Sequence, residues 1–144
     1  MKLPEKWEPI DPTAPYWEQG DSPTGDFRQA FEQAQFLNAN LGGQAENFNL
    51  DVVEAIHESH VSYHGEVWSP EHETSTEMTM VLLIELKDGR WATLNAWNDY
   101  TGWGCQDDST IRVSPTRDHA IQYGLDNEGR DLLGLKLDGG QRAA

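Results

Sequence analysis

Residues 78–113, MTMVLLIELKDGRWATLNAWNDYTGWGCQDDSTIRV, constrain the fold most, because they set two β-type arms back to back around Asp88-Gly89. The first arm, Met78 to Leu86, is almost wholly apolar, the pattern of a strand covered on both faces. Asp88-Gly89 is a strong short-range hairpin signal and predicts a two-residue turn in which both central positions take positive φ. The return arm alternates: Trp91, Thr93, Asn95 and Trp97 fall on one face, Ala92, Leu94, Ala96 and Asn98 on the other. It runs into a compact aromatic and acidic knot over 99–108, where Gly102 and Gly104 flank Trp103 and allow a tight bend.

The rest of the chain supplies partners for this hairpin. Asp26 to Leu41 has helical spacing, with Asp26 as cap, Phe27, Ala30, Phe31, Ala34, Leu37 and Leu41 on one stripe, and Gly42-Gly43 as the stop. Phe48 to Trp68 reads as a strand with Val53, Ala55, Val61 and Tyr63 inward; a helix with Val52, Val53, Ile56 and His60 on one face is the alternative. Ser69 to Thr76 is a polar loop. Ser114-Pro115 predicts a helix start with Ser as cap, running to Tyr123 and ending at Gly124. Asp126 caps a further short helix through Leu133, after which Leu135 and Leu137 pack back on the sheet. Before all of these, Pro4, Pro9, Pro12, Pro15 and Pro23 exclude regular structure, while Trp7, Ile10, Tyr16 and Trp17 suit an extended arm laid on the body. The expected class is α+β: an antiparallel meander of about three strands with two or three helices packed on one face. Residues 1–25 form the arm, 26–137 a single domain and 138–144 a frayed tail.

Charge narrows the functions. The chain carries 25 acidic against 10 basic residues, a net charge of −15, and between Gln29 and Leu86 Glu and Asp supply every charged side chain except histidine. Phosphate contacts need Lys and Arg, so direct binding to nucleic acid or to an anionic membrane is not expected. An acidic face suits a basic protein partner instead, such as a nucleic-acid-binding protein; the plain alternative is a solvated, self-repelling surface. The single Cys105 excludes an intramolecular disulfide and fits a reducing compartment. The opening MKLPEKWEPIDP lacks an apolar core of the signal-peptide kind, and the longest apolar run, Met80 to Ile84, is far too short to span a bilayer. The expected location is the cytoplasm.

Four groups of residues could carry chemistry. His57, His60, His64 and His72 crowd together; on a helix the first three share a face and could ligate Zn²⁺, whereas on a strand His57 points away from His60 and His64. Cys105 with Asp99 and a distant His119 has the composition of a thiol site, but acidic surroundings oppose thiolate formation. Asp99, Asp107 and Asp108 could hold a hard cation through oxygen, although their spacing is also that of ordinary turn chemistry. Trp91, Trp97, Tyr100 and Trp103 supply either core or an aromatic binding surface. No Gly-rich phosphate loop, G-x-S-x-G or HExxH is present, and no cofactor is expected.

Asp99 to Gln106 resembles the D-Y-T-G-W-x-C-Q signature of small uncharacterised proteins of actinobacteria and their phages. Gly124-Leu125, Arg130 and Leu133-Gly134-Leu135 are similar to a G-L-x-x-x-x-R-x-x-L-G-L ending in that group. The resemblance implies an intracellular accessory protein encoded by a phage or mobile element, and brings no catalytic role with it. The expected function is non-enzymatic binding of a protein partner through an acidic face or the Trp-rich knot, with Trp97, Asp99, Tyr100, Trp103, Asp107, Asp108, Glu54, Glu58, Glu71 and Glu73 as binding residues. A small metal-dependent or thiol enzyme centred on Asp99–Asp108 and His119 is the alternative.

Overall fold

The computed structural model describes residues 1–7, 23–37, 48–64, 77–99 and 106–137. In order come α1 (Pro23–Gln33), β1 (Gln35–Leu37), β2 (Val53–His64), β3 (Glu77–Leu86), β4 (Trp91–Asp99), β5 (Gln106–Ser114), α2 (Arg117–His119) and α3 (Asn127–Leu133). A short 3₁₀ turn, Leu50–Val52, leads into β2, and α2 runs on as a π-helical turn over Ala120–Gly124. The strands form one sheet in the order β1-β5-β4-β3-β2. β2 to β5 pair antiparallel, while β1 pairs parallel to β5, Gln35 opposite Thr110. The class is α+β, with a mixed five-stranded sheet in place of a three-stranded antiparallel meander.

The central hairpin forms as its pattern predicts, with a different turn. Lys87-Asp88-Gly89 makes the loop, closed by Leu86 N–H to the Arg90 carbonyl at 2.9 Å and by Gly89 N–H to the Leu86 carbonyl at 3.1 Å. Gly89 takes φ +90°, the left-handed residue that completes such a longer loop. Asp88 accepts from the Arg90 backbone N–H and guanidinium, at 3.0 and 2.8 Å, and fastens the exit.

Helices cover both faces of the sheet, not one. Met80, Leu82 and Ile84 of β3, with Leu94, Ile111 and Val113, join Trp7, Phe27 and Phe31 in the larger core. Val81 and Leu83, the intervening residues of β3, join Ala120, Ile121, Leu125 and Leu133 in a second. This is why β3 is apolar at successive positions: each parity has its own cover.

Three expected boundaries move, each for a physical reason. α1 starts at Pro23, whose fixed φ suits a first helical position, and stops at Gln33 instead of Leu41. On a continued helix Phe36 would point half a turn away from Phe27. In β1 it packs on the larger core, its ring 4.9 Å from that of Phe48. The strand β5 was hidden by its opening Gln106-Asp107-Asp108-Ser109, residues with weak strand preference, and pairing with β4 decides it. Ser114 ends β5 as a buried residue, and Thr116 caps α2 by accepting His119 N–H at 3.1 Å. Asp126 caps α3 through Gly129 N–H at 2.6 Å, as its spacing predicts.

Gly124, Arg130 and Gly134 hold this second cover in place. A Cβ on Gly124 would lie 2.7 Å from Thr93 Oγ1, so only glycine lets the π-turn approach β4, where the Thr93 hydroxyl donates to the Gly124 carbonyl at 2.8 Å. Arg130 is 4% exposed. Its guanidinium donates to the carbonyls of Ile121, Gln122 and Leu125 and to the Asn127 side chain. The Ile121 and Gln122 carbonyls belong to the last residues of the π-turn, where the helical ladder ends, and the Leu125 carbonyl follows directly in extended backbone. Gly134 closes α3 at φ +70°, with Leu135 N–H donating to the Arg130 carbonyl at 2.9 Å.

Candidate functional site

α1 crosses one face of the sheet and is pinned at two points. The Tyr63 hydroxyl on β2 donates to Asp26 Oδ2 at 2.5 Å, and the Ser109 hydroxyl on β5 donates to the Ala30 carbonyl at 2.7 Å. Asp26 therefore does not act as the expected cap: it sits in the first turn, buried and hydrogen-bonded to the sheet. Between α1 and the adjoining ends of β4 and β5 lies a cleft of about 130 Å³. Asp26, Gln29 and Gln33 line it from the helix, and Trp97, Asn98, Asp107 and Asp108 from the strands, over a floor of Met78 and Ala96.

Register explains this assembly. Trp97 stands opposite Asp108, and Asn98 opposite Asp107. Alternation sends Asn98 and Asp107 to the α1 face with Ala96, while Trp97 and Asp108 belong to the opposite face and border the cleft at its edge. Trp97 is 41% exposed, and Asp107 and Asp108 are exposed beside it. No Lys or Arg lines the cleft among the described residues. Its volume is well below the about 300 Å³ at which pockets for drug-sized ligands and cofactors begin, and nearer that of a single inserted side chain. With carboxylates and side-chain amides on its walls, it can accept hydrogen bonds from an ammonium or guanidinium group.

The other sequence-predicted residues fall elsewhere. Glu54 and Glu58 lie on β2, at the edge of the sheet away from β5. Asp99 ends β4, one residue past the cleft lining. Tyr100, Trp103, Cys105, Glu71 and Glu73, with His72 and the rest of residues 100–105 of the knot, lie outside the described residues. Asp107 and Asp108 belong to β5 rather than to a knot.

His119 and Asp99 are not brought together. α2 follows the far end of β5, where Arg117 lies 6.0 Å over the Trp91 ring, and Trp91 to Asp99 is the full length of β4, about 26 Å at strand rise. His119 instead packs against Tyr123, the ring centroids 4.7 Å apart and the planes tilted by 52°. The histidines also differ from expectation, because β2 carries register shifts between Val53 and Ala55 and between Ile56 and Glu58. The second shift is a bulge that swings His57 onto the His60 side of the sheet. There its Nε2 lies 2.6 Å from Glu85 Oε1 and its ring 4.8 Å from that of Trp91. Ala55, expected inward with Val53, faces the opposite side for the same reason. Among the described residues no three His, Cys, Asp or Glu side chains are grouped to hold a metal ion.

Asp26, Gln29 and Gln33 are the lining residues that the sequence reading passed over. Their i, i+3, i+7 spacing was visible as a polar stripe beside the apolar one, but only the crossing of α1 over β5 turns that stripe toward Asp107. Comparison with protein-family models, with curated proteins and with solved structures finds no match to this chain. No helix among the described residues is long and apolar enough to cross a membrane.

Proposed function

We propose that this chain is a non-enzymatic acidic binding protein of the cytoplasm, encoded by a phage or mobile element, that engages a basic protein partner through the cleft between α1 and β4–β5. A nucleic-acid-binding protein, whose own surface is rich in Lys and Arg, fits the charge best. The observation that carries the reading is a cleft of side-chain size, lined by Asp26, Asn98 and Asp107 and by no Lys or Arg among the described residues, with exposed Trp97 paired with Asp108 on the other face of the same strand ends. The aromatic supplies an anchor, and the carboxylates supply orientation and fast encounter.

Pulldown from bacterial lysate tests it, with wild type, Trp97→Ala and the Asp107→Asn/Asp108→Asn double variant at low and high salt. The expected result is an identified basic partner retained by wild type. Removing the tryptophan weakens it by about 2 kcal/mol, roughly thirty-fold. The double variant and high salt both lower capture, as screening shortens the reach of exposed charge from about 10 Å at 0.1 M to about 3 Å at 1 M. A partner held equally by all three proteins would place the interface elsewhere. A small-molecule turnover that Cys105→Ser abolishes without unfolding would replace binding with thiol chemistry.

A further inference from the structure

β2 forms one edge of the sheet, and its two halves are covered differently. Over Glu54–Ile56 the edge is occupied by the chain's own first residues. Lys2 lies parallel to it, its N–H donating to the Glu54 carbonyl at 2.9 Å and its carbonyl accepting Ile56 N–H at 3.1 Å. The Lys2 ammonium reaches to 4.0 Å from the Glu54 carboxylate. Pro4 has no N–H to continue this ladder. The chain turns there, Trp7 N–H donating to the Pro4 carbonyl at 2.9 Å, and buries Trp7 against Phe27. From Glu58 to Ser62 no strand is paired with the outer edge among the described residues.

Such an edge is normally guarded by a lysine, a proline or a bulge. Here both register shifts lie at or before Glu58, and Glu58-Ser59-His60-Val61-Ser62 contains neither Lys nor Pro. Pairing with β3 puts Glu58, His60 and Ser62 on one side of the sheet and Ser59 and Val61 on the other.

We propose that the outer edge of β2 over Glu58–Ser62 is a strand-addition site for an extended partner segment carrying Lys or Arg at alternate positions. The lane that Lys2 takes beside Glu54 is the template: backbone hydrogen bonds to the edge with a cationic side chain laid toward a glutamate. An added strand of the same chemistry sets one row of side chains toward Glu58 and the other toward Val61. A second copy of this chain is the wrong occupant, since two molecules of net charge −15 repel. The site is separate from the Trp97 cleft and does not depend on it.

The test uses the full chain and the capped peptide Lys-Thr-Lys-Val-Lys-Thr-Lys, compared with the same peptide N-methylated at its central residues, which keeps every charge and removes backbone donors. The expected result is binding of the unmodified peptide with slowed amide exchange at Glu58–Ser62, and at least roughly tenfold weaker binding of the methylated one. Glu58→Lys weakens the unmodified peptide by a similar factor with an unchanged circular dichroism spectrum, and Trp97→Ala leaves it unaffected. Equal binding of both peptides would reduce the effect to charge alone and overturn the proposal. So would loss of binding in Trp97→Ala, no binding at all, or a homodimer in which these amides are already protected without peptide.

Discussion

On the α1 side the sheet meets Phe27, Phe31 and Trp7, rings with centroids 5.5 and 6.1 Å apart packed over Met80, Leu82 and Ile84, whereas on the other side it meets Ala120, Ile121, Leu125 and Leu133 around a buried arginine. The first cover is held by large apolar side chains, each contributing about 1.5–3 kcal/mol on burial. The second has little apolar area, and Arg130, Thr93 and Gly124 fasten it by hydrogen bonds and a close backbone approach. Apolar burial is non-directional and tolerates a cleft at its margin, where Ala96 and Met78 form the floor. Polar fastening is directional, and a change in one member leaves the others unpaired. Gly124, Leu125, Arg130, Leu133, Gly134 and Leu135 all serve this second cover as packing or capping residues.

Four substitutions test this contrast, and a fifth tests the hairpin loop between β3 and β4. The largest loss is expected for Phe27→Ala, about 3–5 kcal/mol by urea unfolding, as a fully buried ring is replaced by a cavity. Arg130→Met keeps the stem but strands the carbonyls of Ile121 and Leu125, and should cost about 2–4 kcal/mol. Its amide exchange should rise over α2 and α3 first, with β3 and β4 still protected; uniform loosening would erase the distinction between the two covers. Gly124→Ala drives a methyl into Thr93 and should cost about 1–3 kcal/mol. Combined with Thr93→Ala the losses should be less than additive, because the clash is shared. The smallest effect concerns the hairpin loop, where the Arg90 side chain beside Asp88 holds its carboxyl below the usual Asp range. A lowered folded-state pKa adds stability above the unfolded pKa and loses it as pH falls through the folded one. The ion-pair part of the advantage of wild type over Arg90→Ala should thus be less than about 1 kcal/mol at neutral pH, since the Asp88 side chain is half exposed. It should begin to fall near about pH 4 and be lost as pH drops through the lower folded-state pKa, while the packing of Arg90 over Phe48 stays.

Local patterns were legible where one neighbour decides the outcome. The Met78–Leu86 and Trp91–Asn98 arms, the Asp126 cap and the Gly134 stop are all set within a few residues. The continuous apolar run of β3 already demanded two covers, and placing every helix on one face ignored that demand. What could not be read depends on distant pairing. β1 is three residues long and exists because Phe36 finds the core beside β5. The swing of His57 toward Glu85 follows from bulges that alternation alone cannot anticipate. The cleft needs all three levels at once: the polar stripe of α1, the β4–β5 register and the crossing of one over the other.

The parallel pair of β1 with β5 has a consequence for the order of events during synthesis. Gln35 leaves the ribosome long before Thr110, its partner, has been made. The β2–β3–β4 hairpins join neighbours in sequence and can close first, while α1 and β1 wait as a tethered flap. The Asp26–Ser109 cleft is thereby completed only when the last strand docks. A nascent or truncated chain that stops short of β5 has no such pocket to offer.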